Sequence, residues 1–215
     1  MKHILTLFTV FTVLFSASAQ ETEGYLQYSI DVKAVDTTMK AKQQAGLLRN
    51  SKMEIFFTQN FSRVDFEMGR LYKLSAVVDL STNTTLSLMS GAIGKFATRT
   101  LTVDTANVQP QPESSVELVD EEKVILGYNC KKAIVTVNGM KSVYWYTEEV
   151  DIDISGQQIS NSLIPGFPLE FFTVAEGVEM HFTASNIEFT LEDKENIFYT
   201  KVPEGYVIMQ DLGQN

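Results

Sequence analysis

The sequence predicts a mainly β fold, a single strongly curved antiparallel sheet or open half-barrel of about ten strands with one or two short helices. Three observations carry this. Apolar and polar residues alternate with a period of two along most of the chain; the alternating runs are short and parted by brief polar or Gly-containing turns; and one stretch departs toward helical spacing. A sheet of roughly twice the usual strand number must curl, split or close.

The first element is not part of that fold. Lys2 and His3 precede an apolar run from Ile4 to Phe15, and Ala17-Ser18-Ala19 supplies small residues for cleavage. This is the pattern of a secretory signal peptide, and the run falls short of the roughly 18 apolar residues of a membrane span. Residues 1–19 are therefore read as a signal peptide and 20–215 as a single β-rich domain with no transmembrane span.

The strands follow in order. Leu26, Tyr28, Ile30 and Val32 alternate with polar residues, and Met53, Ile55 and Phe57 make a second run. Between them Ala34 to Asn50, with Met39, Ala41, Ala45, Leu47 and Leu48, has helical spacing, and Asp36 and Thr37 offer caps. Val64, Phe66 and Met68, then Tyr72 to Leu80, then Leu86 and Leu88 continue the meander across turns at Asn60, Gly69 and Asn83. Ala106 to Ser115, with Pro110 and Pro112, reads as an exposed connection. Strands resume at Val124–Val137, Lys141–Thr147, Leu169–Val174, Glu179–Thr190 and Tyr206–Met209, with a loop from Asp151 to Pro168.

Composition narrows the function classes. The formal charge is −10, a poor field for nucleic acid, whose binding needs clustered Lys and Arg. After the leader one cysteine remains, Cys130, so no intramolecular disulfide is possible. Export without disulfides suits a bacterial cell envelope, periplasmic or outer-membrane associated or extracellular, in a Gram-negative cell.

Catalytic patterns are weak, and neither an enzyme nor a cofactor is expected. His181 is the single histidine after the leader and sits on a polar strand face with Glu179, Thr183 and Ser185. Cys130 is either a nucleophile favoured by Lys131 and Lys132 or a small apolar residue of a buried strand. Asp151 and Asp153 form a hard-cation pair or a solvated loop, and they lack the Gly and distal Glu of a calcium loop. Asn60-Phe61-Ser62 and Asn83-Thr84-Thr85 match the N-glycosylation triplet, and Asp36-Thr37-Thr38 and Asp104-Thr105-Ala106 resemble an O-glycosylation acceptor. Aromatic content is the stronger signal. Tyr144, Trp145 and Tyr146 put rings on both faces of one strand, and Phe167, Phe171 and Phe172 flank Pro165, Gly166 and Pro168. These rings either fill a core or line the mouth of an apolar cavity.

Three stretches resemble a known family. Ile125-Leu126-Gly127-Tyr128-Asn129-Cys130-Lys131-Lys132-Ala133, then Tyr144-Trp145-Tyr146-Thr147, then Ile164-Pro165-Gly166-Phe167-Pro168-Leu169-Glu170 are similar to successive segments of the GLPGLI family of exported bacterial proteins. The third departs from the family pattern where Phe167-Pro168 replaces Leu-Ile and where no Gly precedes Ile164, so the alternative is a neighbouring exported bacterial family of unknown function that shares the Gly-Tyr-x-Cys strand. The resemblance implies kinship with the half-barrel of LolA-like lipoprotein carriers, in which a curved sheet cups an acyl group under a helical lid. On that analogy the expected function is a non-catalytic envelope protein holding a lipid or other apolar ligand, with Phe66, Leu74, Trp145, Phe167 and Phe182 as pocket residues. The rival expectation is an interaction or structural module that binds another envelope protein.

Overall fold

The computed structural model describes residues 22–101, 114–150, 152 and 163–209. The expected signal peptide, the connection around Pro110 and Pro112, the Asp104 acceptor and the Asp151–Asp153 pair lie outside the described residues. The described chain forms β1 (Glu23–Ala34), α1 (Met39–Leu47), β2 (Ser51–Thr58), β3 (Phe61–Met68), β4 (Tyr72–Asp79), β5 (Thr84–Gly91) and β6 (Gly94–Leu101). It continues with β7 (Ser114–Ile125), β8 (Tyr128–Val137), β9 (Met140–Thr147), β10 (Phe167–Ala175), β11 (Val178–Glu188), α2 (Lys194–Ile197) and β12 (Val207–Ile208).

All the strands join one open sheet, in the order β12-β6-β5-β4-β3-β2-β1-β11-β10-β9-β8-β7. Two antiparallel meanders, β1 to β6 and β7 to β11, meet where β1 pairs with β11, and only the β12–β6 pair is parallel. Tight turns set the registers. Leu126-Gly127, Asn138-Gly139 and Glu176-Gly177 all have positive φ at both positions, the primed hairpin geometry whose twist matches that of the flanking strands. Two strands were not legible as separate alternating runs. β6 carries mostly Lys, Thr and Arg between its apolar residues, and β7 is the terminal edge strand, exposed along most of its length.

The sheet curls toward one face. Flat neighbouring strands stand about 4.8 Å apart, which would put β3 about 14 Å from β11 with β2 and β1 between them. Yet the rings of Phe66 on β3 and Phe182 on β11 meet with centroids 5.9 Å apart. Tyr28 likewise reaches past β11, its hydroxyl donating to the Pro168 carbonyl of β10 at 2.7 Å. The face so enclosed carries the main core: Leu26, Tyr28, Ile30, Ile55, Phe57 and Phe182, all buried. Burial of this kind contributes roughly 1.5–3 kcal/mol per large side chain.

α1 lies over one end of this concave face, where Ala41, Ala45 and Leu48 pack on Met68 and Val178. Small residues one turn apart let the helix approach the sheet closely. Thr38, not Asp36 or Thr37, is the N-cap: its hydroxyl accepts from the Ala41 amide, while Asp36 Oδ1 accepts from the Thr38 amide. Gly69 seats the helix end against the β3–β4 turn. Its φ is +51°, and a Cβ there would stand 2.2 Å from the Leu47 carbonyl oxygen.

The opposite face of the first meander is covered by the chain after β11, which runs across it as a strap. Tyr199, Val202 and Tyr206 pack on Leu86, Leu88 and Ala97. Arg63 clasps the strap by donating to the Ile197 carbonyl at 2.7 Å, with its guanidinium 4.8 Å from the Tyr199 ring centre and held by Asp65. Arg99 donates to the Thr200 carbonyl, and β12 then pairs with β6 and forms that edge of the sheet. No helix among the described residues is long and apolar enough to cross a membrane.

Candidate functional site

The residues singled out from sequence are not gathered around one cavity. Phe182 and Phe167 are buried in the main core, with Phe66 and Trp145 packed against it. A row of rings runs along the concave face: Tyr144 stacks on Phe171 at 5.7 Å, Phe171 on Phe182 at 4.5 Å, and Phe182 meets Phe66. Leu74 pairs with Phe66 across β3 and β4 and is partly exposed. The Pro165-Gly166 loop closes onto β9, where a Cβ on Gly166 would stand 2.4 Å from the Thr147 carbonyl oxygen.

Trp145 stands beneath paired charges. The Lys123 ammonium lies 4.2 Å from its ring centre and 2.6 Å from Glu170, and His181 Nε2 lies 3.0 Å from the other Glu170 oxygen, out of line for a hydrogen bond. His181 is thus half-buried against Phe172 and Glu170, although its strand face is polar. Cys130 is fully buried, and burial pushes its thiol up to about 11, against a backbone hydrogen bond at Ile125 and the charge of Lys123. Lys131 and Lys132, which the nucleophile reading needs beside the thiol, are paired with Glu148 and Glu121, and the reading of Cys130 as a small apolar core residue holds. An inert core thiol results. Among the described residues no group of three or more His, Cys, Asp or Glu is placed to hold a metal ion.

An apolar-walled groove opens where β9 and β10 part. Their ladder runs from Phe167↔Thr147 to Phe172↔Val143 and stops. Beyond it β9 continues to Met140 paired only with β8, and β10 continues to Ala175 paired only with β11. The cause is local. Each strand end is tied into a different tight hairpin, at Asn138-Gly139 and at Glu176-Gly177, while the irregularity at Pro168–Glu170 adds twist between them. The groove so formed holds about 590 Å³ and is lined by Val135, Val137, Met140, Tyr144, Val174 and Ala175, with Lys141 and Glu176 at its mouth. Lys40 pairs with Glu176 at 2.9 Å, whereas Lys141 has no carboxylate partner among the described residues. Of the aromatic strand noted from sequence, Tyr144 reaches this groove. The remaining walls were missed, because nothing in a sequence marks where a ladder stops.

A second groove, of about 710 Å³, lies between the strap and the β2–β3 turn. Phe61 and Phe198 stack along it at 5.6 Å, with Thr58, Asn60 and Thr200 around them.

Comparison with known proteins adds a family. Two crystal forms of PNGF-II align with 88% of this chain at 15% identity and a TM-score of 0.47, and the chain spans 31% and 32% of their length. A LolA superfamily protein from Nitrosomonas europaea aligns with 84% of this chain and 91% of its own, at 12% identity and a TM-score of 0.23. At these scores the likeness says nothing of activity. No curated protein matches. A family model described as "N-glycanase peptide, N-terminal domain" matches residues 75–203, and no GLPGLI match accompanies it. The Gly127-Tyr128-Asn129-Cys130 motif encodes a tight turn at Leu126-Gly127 and, after it, a strand buried on the face that carries Cys130 and Ala133, a local solution that separate families can share. The match runs from within β4 through both parted strands and into the strap, more than half of the chain, and on that extent the chain belongs to the N-glycanase peptide, N-terminal domain family.

Proposed function

We propose that this chain is an exported, non-catalytic module of the cell envelope that holds an apolar ligand on the concave side of its sheet. The observation that carries the reading is the apolar groove between the parted ends of β9 and β10, next to the ring row that ends at Tyr144. The expected pocket residues Phe66, Phe167 and Phe182 then act as the packed floor that keeps the sheet curled, and the ligand lies beside them. Concave apolar sites with a few polar groups at the mouth are the usual form of small-ligand sites. Native mass spectrometry of the protein purified from its own cells tests this. A bound mass that disappears on solvent extraction supports the reading, and a clean ligand-free mass overturns it.

A second reading, an interaction module of the envelope, is favoured by the groove beneath the strap. Its stacked Phe61 and Phe198, rimmed by hydroxyl, amide and charged side chains, suit a polar partner with flat faces. The N-glycanase in the family's name makes a glycan-bearing protein the partner to try first.

A further inference from the structure

Resting on the reading of the β9–β10 groove as an apolar ligand site, we propose that its occupant is an extended apolar peptide segment carrying a carboxylate, added between the two parted strands, and not an acyl chain. The groove is lined by both unpaired strand ends, Met140, Lys141 and Ser142 on one wall and Thr173, Val174 and Ala175 on the other. A continued ladder would have paired these residues with each other. Instead each wall is bonded on its far side only, β9 to β8 and β10 to β11.

Backbone amides and carbonyls that face the gap still need partners. An acyl chain would cover them and satisfy none, which is the costly arrangement. An extended peptide satisfies both walls at once, the manner in which sheet edges capture strands. At about 3.3 Å per residue the walls engage roughly three peptide residues. Side chains on an added strand alternate, so one set meets Val135, Val137 and Tyr144 while the other turns outward. Charge selects the end of the segment. Glu176 is already neutralised by Lys40, whereas the Lys141 ammonium stands unpaired among the described residues, so the mouth favours an acidic side chain or a C-terminal carboxylate.

Calorimetric titration of the full mature chain tests this with four probes. They are an acetylated peptide of alternating valine and threonine with a free carboxylate, its C-terminal amide, the same peptide N-methylated at alternate residues, and palmitate. The acid-ended peptide is expected to bind. N-methylation removes hydrogen bonds without removing apolar surface, and is expected to weaken binding by about tenfold or more. Lys141→Gln, a surface change whose folding is checked by circular dichroism, is expected to weaken the acid-ended peptide by about two- to fivefold and to leave the amide unchanged. Equal affinity for the N-methylated peptide overturns the strand-insertion proposal, and no effect of Lys141→Gln overturns its carboxylate element. Palmitate binding without peptide binding overturns the proposal and leaves the apolar-ligand reading standing. Binding of neither overturns both.

Discussion

Replacing Phe66 and Phe182 by leucine, singly and together, measures how far the sheet is curled. These residues sit on β3 and β11 with two strands between them, so in a flat sheet their backbones would be about 14 Å apart and their substitutions would add within about 0.3–0.5 kcal/mol. In the curled sheet the rings meet at 5.9 Å, and an aromatic pair in contact contributes about 0.5–1.5 kcal/mol beyond its buried area. Each single change is expected to cost about 1–3 kcal/mol, and the double change less than the sum by about 1 kcal/mol. Urea unfolding supplies the free energies, followed by fluorescence of Trp145, the one tryptophan, and by circular dichroism. Additivity within about 0.3 kcal/mol, with unchanged m-values, would refute the curled geometry.

Further outcomes follow from single contacts. Arg63→Ala removes the clasp on the strap, is expected to cost about 1.5–3 kcal/mol, and should open the strap to limited proteolysis; Arg63→Lys should restore little, since one ammonium cannot serve Asp65, the Ile197 carbonyl and the Tyr199 ring together. Burial alone would raise the Asp79 carboxyl, but donors from Ser81 and Thr82 together hold it below its ordinary value of 3.8. Its stabilising effect is therefore complete above that value and lost as pH falls through the lower folded one, so the advantage of the wild type over Asp79→Asn in urea unfolding should shrink on acidification. Cys130, buried and with its thiol raised to about 11, should resist a disulfide reagent at pH 8 until urea unfolds the chain; fast native reaction would contradict its burial. Gly166→Ala drives a Cβ against the Thr147 carbonyl oxygen and is expected to lower stability by about 1–3 kcal/mol in the same unfolding assay.

Much of the fold was legible because alternation reports burial directly. Leu26, Tyr28 and Ile30 all face the core as their spacing required, and the Ala41–Ala45 spacing gave the helix. What escaped were elements whose residues bury little or whose boundary is a backbone event. Glu117, Asp120, Glu121 and Glu122 leave most of β7, between the connection ending at Ser115 and the run from Val124, without an alternating signal, because an edge strand needs charge more than alternation. The run Val124–Val137 reads as one strand because Leu126 hides a turn, holding a positive φ of 51° that a leucine seldom adopts. The candidate site was legible in part. Tyr144 carried an aromatic signal, whereas Met140, Ser142, Thr173 and Ala175 acquire significance only from the ladder ending at Phe172↔Val143.

Residue-resolved amide hydrogen exchange on the full chain tests the parting of β9 and β10 most directly. Some amides of Met140–Ser142 and of Thr173–Ala175 point into the gap, and these are expected to exchange far faster than those of Tyr144 and Phe171 on the intact ladder. Protection of both strand ends equal to that of Tyr144 and Phe171, with no ligand bound, would mean that the ladder is continuous and that there is no groove to fill.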